Sequence, residues 1–438
     1  MSNTEWLERS RAAVWHPCTQ MKRHEVLPLV PIERGEGMWL YDFDGRRYLD
    51  AVSSWWVNLF GHCNPSINAA IQDQLGRLEH VMLAGFTHRP VVELSERFSA
   101  KTVGSLGHAF YGSDGASAIE IALKMSFHYW RNRGEPQKTG FVSLVNSYHG
   151  ETIGALAVTD VALFKDTYAP LLRQTVQVPT PDARLAAPGE GAEAFALRCA
   201  QALEAHLAAH HATTAALVVE PLVQGAAGMA MYDPAYLARA RELCDRYGVL
   251  LIADEIAVGC GRTGTFFACE QAAIWPDLLC LSKGISGGYL PLSAVLCTDA
   301  IYRAFYDEDL TRGFLHSHSY TGNPLACRAA LATLDLFERG DVLANNCLTS
   351  ERINVLSLPI RDLPYVRHFR NRGMIWAFDV EAGPADFASR IFAEALGQEL
   401  LLRPLGNTVY WMPPFVISGD EASHMVGATL AALRAVMG

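Results

Sequence analysis

The chain has 438 residues, half of them apolar and only 19% charged, against about 25% charged in an average globular protein. That excludes a disordered chain and supplies a large core. Lys and Arg total 36 against 46 Asp and Glu, a formal net charge of -10, which argues against nucleic acid as a main partner.

From the N-terminus, Met1 to Gln20 carries Glu5, Glu8, Arg9 and Arg11 and lacks the unbroken apolar stretch of a secretory signal. No later apolar run approaches the ~20 residues that span a bilayer, so no membrane partner is expected. Turns at Gly35-Glu36-Gly37 and Asp42-Phe43-Asp44-Gly45 flank short strand candidates. Further on, Ile119, Leu123 and Phe127 fall four apart, with Ala122 and Trp130 on the same face, and predict a helix. Four short apolar runs, Phe141 to Val145, Ala215 to Val219, Val249 to Ala253 and Leu278 to Leu281, read as buried parallel strands of an α/β fold. The second ends at Glu220-Pro221, the third at Asp254-Glu255 and the fourth at Ser282-Lys283-Gly284. Between them, Arg184 to Ala212 reads as a surface loop followed by an Ala- and Leu-rich helix. The expected organisation is a large α/β domain over 61–330, with 1–60 and 331–438 forming a smaller one. The ten cysteines are scattered, with no C-x-x-C pair, which reads as reduced thiols in a cytoplasmic protein.

Gly259-Cys260-Gly261-Arg262-Thr263-Gly264 fits G-x-G-x-x-G after a strand. A dinucleotide fingerprint also needs a helix opening at the third glycine, and Thr265-Phe266-Phe267 is no such start. It reads as a glycine-rich loop. His206, His210 and His211 lie near helical spacing without a third ligand type, and His24-Glu25 begins an H-E-x-x-H match that Pro28 breaks. No catalytic metal is expected.

Tyr111-Gly112-Ser113-Asp114-Gly115-Ala116-Ser117 leads straight into the 119–130 helix. Glycines permit a tight turn, and a helix start offers free N–H groups and a positive dipole end, a cradle for one phosphate. An ordinary capped helix is the alternative. Asp254 and Lys283 each end a strand, where open α/β sheets bind ligands, and Tyr148 follows another. A lysine, an acid, an aromatic ring and a phosphate cradle together match what pyridoxal phosphate requires.

At these residues the chain resembles the class III, fold-type I aminotransferases that use pyridoxal phosphate. Asp254-Glu255-Ile256-Ala257, Gly259, Arg262-Thr263-Gly264 and Ser282-Lys283-Gly284 carry the resemblance, which spans essentially the whole chain. It implies a large domain with a mixed, mostly parallel seven-stranded sheet flanked by helices, and a smaller α+β domain from both termini. His16-Pro17, Ser53-Ser54-Trp55-Trp56, Gly61-His62, Tyr148-His149-Gly150, Gly322-Asn323-Pro324 and Arg403-Pro404 through Tyr410 look like the branch that aminates 8-amino-7-oxononanoate in biotin biosynthesis, usually with S-adenosylmethionine as donor.

The resemblance implies that Lys283 is the cofactor-bearing lysine and general base, and that Asp254 partners the pyridine nitrogen. It makes Gly112 and Ser113 phosphate binders and Tyr148 the stacking ring. Ser319 would reach the phosphate of a neighbouring subunit, so a homodimer with active sites at its interface is expected. Trp55, Trp56 and Tyr148 would line the substrate channel, with Tyr410 and Arg262 in its wall, and Arg403 would hold a substrate carboxylate. Three positions depart from or refine the pattern: Cys18 stands where Tyr is common, Glu151 where Asp is usual, and Ala257 where many relatives with other substrates carry Gln. The alternative is a class III enzyme acting on ornithine, 4-aminobutyrate or another ω-amino acid, since the same core serves them all.

Overall fold

All four apolar runs are strands of one sheet. The computed structural model describes residues 1–27 and 29–438, so Pro28 lies outside the described residues. In chain order the sheet's strands are β1 (His108–Gly112), β2 (Gly140–Leu144), β3 (Val176–Val178), β4 (Thr214–Val219), β5 (Leu250–Asp254), β6 (Leu278–Leu281) and β7 (Ser293–Cys297). Their spatial order is β1-β7-β6-β5-β4-β2-β3. β7 runs antiparallel to both neighbours, and the other pairings are parallel. Every residue of β4, β5 and β6 is buried, which is why these strands read as continuous apolar runs rather than alternating ones.

The helix expected over 119–130 is Gly115–Asn132, called α1. Its Ile119, Ala122 and Met125 join Val218, Ile252, Leu278 and Val295 of the sheet in one core cluster. Ala192–His210 is the Ala-rich helix expected after the 184–191 loop.

The chain forms two compact units, Ser66–Leu343 (the larger) and Met1–Pro65 with Ala344–Gly438 (the smaller). The edges differ from the expected 60 and 330 for local reasons. His62 bridges to Gly37, which keeps 61–65 with the N-terminal strands. Helix Pro324–Arg339 packs on helix Arg89–Lys101, where Arg97 Nη1 meets Asp335 Oδ1 at 2.7 Å, so it stays with the larger unit.

Within the smaller unit, strands Ile32–Glu36, Trp39–Asp42 and Arg47–Asp50 pair antiparallel, and Leu400–Leu401 adds in parallel beside the last. The two termini thus share one sheet. A second sheet holds Val366–Arg372, Ile375–Val380 and Thr408–Trp411. All ten cysteines are free. Among the described residues no helix is long and apolar enough to cross a membrane, and no group of three or more His, Cys, Asp or Glu is placed to hold a metal ion.

Candidate active site

Because β2, β4, β5 and β6 point the same way, the residues that follow them emerge along one edge of the sheet. Tyr148, Glu220, Asp254 and Lys283 all lie there, at or just past a strand's carboxyl end. Ligands of open α/β sheets bind at that edge.

Lys283 has a φ of 43°, in the left-handed region. For a residue other than glycine that costs about 1–3 kcal/mol, and such strain clusters at functional positions. Desolvation lowers its pKa, opposed by the charges of Asp254 and Glu220. The lysine therefore gives up its proton more readily than one in water, yet keeps two carboxyl groups near enough to favour its return.

Asp254 is buried, and each of its oxygens accepts one protein hydrogen bond. His149 Nδ1 lies 2.7 Å from Oδ2, and Ile256 N donates to Oδ1 at 3.1 Å. His149 Nε2 is buried without a partner. A neutral ring with its proton on Nδ1 satisfies that geometry, because a second N–H would be stranded. The carboxylate keeps acceptor capacity for a further N–H.

Beside this pair sits an acid to which the sequence reading gave no role. Glu220 is buried and accepts from Tyr148 N at 3.0 Å through Oε1 and from Gly225 N at 2.9 Å through Oε2. Burial pushes its pKa up to about 7, with Asp254 adding to the rise and His149 opposing it. It ties the backbone of Tyr148 to the turn after β4. The signal was present: Glu220 ends a buried run, as Asp254 does. Tyr148 itself donates its hydroxyl to Glu151 Oε1 at 2.9 Å, so the Glu at 151 serves the ring expected to stack.

The Gly112–Ser117 loop is shaped by close approaches. A Cβ on Gly112 would lie 2.7 Å from Ser293 Oγ, and one on Gly115 would lie 2.9 Å from Ile256 Cγ2. Asp114 is the N-cap of α1 and takes the Ser117 N–H at 2.9 Å. The N–H groups of Gly115 and Ala116 have no partner among the described residues. Two free donors at a helix N-terminus, with the Ser113 hydroxyl beside them, form an anion cradle. His318 Nδ1 lies 3.5 Å from Ser113 Oγ, and Ser319 follows it, exposed. Arg262 is in this unit too, buried in the loop after β5.

Trp55, Trp56, Arg403 and Tyr410 belong to the smaller unit. Trp56 is buried, and its Nε1 donates to Tyr410 Oη at 3.1 Å. Burial pushes the Tyr410 phenol up to about 12, eased by the Trp56 bond and by Arg403 and reinforced by Asp50. Trp55 and Arg403 instead line a cavity of about 540 Å³ with apolar walls that include Leu40, Val52, Phe392 and Leu401. The Arg403 guanidinium lies 4.2 Å from the Trp55 ring centroid, and no Asp or Glu lines the cavity. The two tryptophans thus take different environments, one in the core and one on the cavity.

A model of the family Aminotransferase class-III matches residues 20–433. The chain belongs to the class-III aminotransferases. Among its class-III relatives, the adenosylmethionine-8-amino-7-oxononanoate aminotransferase of Helicobacter pylori is 44% identical over 430 residues, covering 96% of this chain and 95% of that protein. The enzyme of that name from Methanocaldococcus jannaschii has a crystal structure that superposes with a TM-score of 0.93 at 34% identity, covering 99% of both chains. An amine transaminase from an uncultivated Pseudomonas species, solved in its PLP-bound form, superposes with a TM-score of 0.91 at 34% identity, covering 97% of this chain and 99% of that one.

Proposed function

We propose that this class-III aminotransferase uses pyridoxal phosphate to aminate 8-amino-7-oxononanoate to 7,8-diaminononanoate, with S-adenosylmethionine as amino donor, in the cytoplasm. The names of the relatives support the reaction, and the carrying observation is the cavity of the smaller unit. Its apolar walls suit a methylene chain, at about 0.8 kcal/mol per buried CH₂. Two guanidiniums, of Arg23 and Arg403, line it; that of Arg403 stacks on Trp55 and, with no carboxylate in the cavity lining, suits the chain's terminal carboxylate.

The residues of the larger unit fit the cofactor. The free N–H groups of Gly115 and Ala116, with Gly112 and Ser113, would hold its phosphate. Asp254 would accept from its pyridine N–H, Tyr148 would lie against its ring, and Lys283 would hold it through Nζ. When bound, pyridoxal phosphate supplies an electron sink for the carbon that bears the transferred amino group. Lys283 Nζ, made easier to deprotonate by desolvation, would move the proton from that carbon of the donor to C4′ of the cofactor. In the second half of the cycle it would move one from C4′ to the carbon of the acceptor that gains the amino group. His149 holds the Asp254 carboxylate in place through the 2.7 Å contact, and Glu220 holds the Tyr148 backbone. Tyr410 supports the smaller unit from its core, where its hydroxyl accepts from Trp56 Nε1 at 3.1 Å.

The active unit is a homodimer in this reading, with Ser319 reaching the partner's phosphate. The exposure of Leu310, Leu315 and Tyr320 on the same stretch supports a covered surface.

The test offers purified, cofactor-loaded protein 8-amino-7-oxononanoate with S-adenosylmethionine and follows the diamine by mass spectrometry. Brisk amination of 2-oxoglutarate from ornithine or 4-aminobutyrate, with 8-amino-7-oxononanoate ignored, would overturn the assignment.

A further inference from the structure

Four successive residues other than glycine, Ser53, Ser54, Trp55 and Trp56, have φ values of 51°, 45°, 73° and 72°. They form one left-handed turn, closed by Trp56 N donating to Val52 O at 2.8 Å and Val57 N donating to Ser53 O at 3.0 Å. L residues are disfavoured there, and left-handed residues normally occur singly. No glycine, Asn or Asp relieves the turn, so its surroundings must impose it.

Those surroundings are visible within the smaller unit. Asp50 is fully buried at the base of the turn. Its Oδ2 accepts from Ser54 Oγ at 2.7 Å and meets His62 Nε2 at 3.1 Å, while its Oδ1 accepts from Val52 N at 3.2 Å. Asn58 Nδ2 backs the other side of the His62 ring, 3.2 Å from Nδ1. Ser53 Oγ donates to Met412 O at 2.7 Å, and Met412 N donates to Ala51 O at 2.8 Å.

We propose that this left-handed turn is a specificity-determining element for the acceptor, and that Asp50 is its positioning residue. The turn sends Trp56 inward to Tyr410 and turns Trp55, 42% exposed, onto the cavity beside Arg403. A right-handed turn of the same residues would send these side chains elsewhere. The handedness is therefore what aims Trp55, and strain is tolerated at the turn because its product is a wall.

Two comparisons test this, and both rest on the proposed acceptor only in part. Trp55→Gly and Trp55→Ala both delete the side chain, but only glycine adopts a φ of 73° without penalty. Trp55→Gly is expected to unfold a few degrees above Trp55→Ala in calorimetry, reversing the usual order in a right-handed helix. An Ala variant that is equally or more stable would overturn the strain. Ser54 is exposed, so Ser54→Ala should fold while cutting the link to Asp50. Its KM for 8-amino-7-oxononanoate is expected to rise at least fivefold, with kcat within twofold and the visible band of the bound cofactor unchanged. An unchanged KM would overturn the positioning role. If the wild-type protein does not aminate 8-amino-7-oxononanoate, the proposed function falls by itself. The unfolding order still decides the strain, and KM is then read on the acceptor the wild-type protein does use.

Discussion

In the larger unit, Glu220, Asp254 and Lys283 each come at or just beyond the end of a buried strand, and the pairing of β4, β5 and β6 sets their spacing. In the smaller unit, Trp55 and Trp56 ride on a left-handed turn that a handful of side-chain hydrogen bonds holds. The first arrangement is fixed by a ladder of backbone bonds and places reactive groups wherever the sheet ends. The second is local, and a few substitutions can reshape it without disturbing a sheet. Chemistry common to a family suits the first, and acceptor choice suits the second.

Lesions on the two sides should therefore fail differently. The largest loss is expected from Lys283→Ala, which removes the proposed general base and should lower kcat by at least roughly 10²–10⁴-fold. Rapid-quench kinetics would show that loss with every acceptor alike. An acceptor-dependent loss would break the division between the units. Next comes Arg403→Ala, expected to weaken use of 8-amino-7-oxononanoate by about 2–5 kcal/mol in kcat/KM, the range for truncating one partner of a buried charge pair. Cofactor affinity, read by fluorescence titration, should stay at the wild-type value.

A third substitution tests the sheet-edge side by packing alone. Gly112→Ala would place its Cβ 2.7 Å from Ser293 Oγ and 3.2 Å from Ile121 Cδ1. It should cost about 1–3 kcal/mol in denaturant unfolding, as overpacking does, and loosen the cofactor's phosphate.

The most gradual expected effect is a slope. Burial raises the Glu220 pKa from 4.5 to about 7. Its contribution to stability is fully present below 4.5 and is lost as the pH rises through about 7, because the unfolded chain gives up the proton first. Unfolding free energy of the wild-type protein should thus fall across that window, by up to about 1.4 kcal/mol per pH unit for this one group. Glu220→Gln should flatten that part of the fall. Glu255, also buried and raised to about 7, leaves a similar slope behind. An identical profile in the variant would contradict the assignment to Glu220.

The sheet was legible because β2, β4, β5 and β6 are buried on both faces and so appear as unbroken apolar runs. β7 was not, although Ser293-Ala294-Val295-Leu296-Cys297 is equally buried, because its antiparallel placement depends on partners far away in the chain. Lys283 and Asp254 could be found from their positions at strand ends. Glu220 stood at a comparable position but was passed over, since a Glu before Pro reads as a surface turn until the N–H groups of Tyr148 and Gly225 are seen on it. His149 appeared only inside a motif, and its contact with Asp254 spans 105 positions. The left-handed turn left no local trace, because nothing in Ser-Ser-Trp-Trp asks for a positive φ and the carboxylate that imposes it acts only once folded.

Which lysine carries the cofactor decides most directly where the chemistry sits. Protein loaded with pyridoxal phosphate should be reduced with borohydride, digested and mapped by mass spectrometry. The cofactor's mass is expected on the peptide containing Lys283. Its appearance on any other lysine, or a protein that takes up no cofactor at all, would contradict the placement of the chemistry at the end of β6.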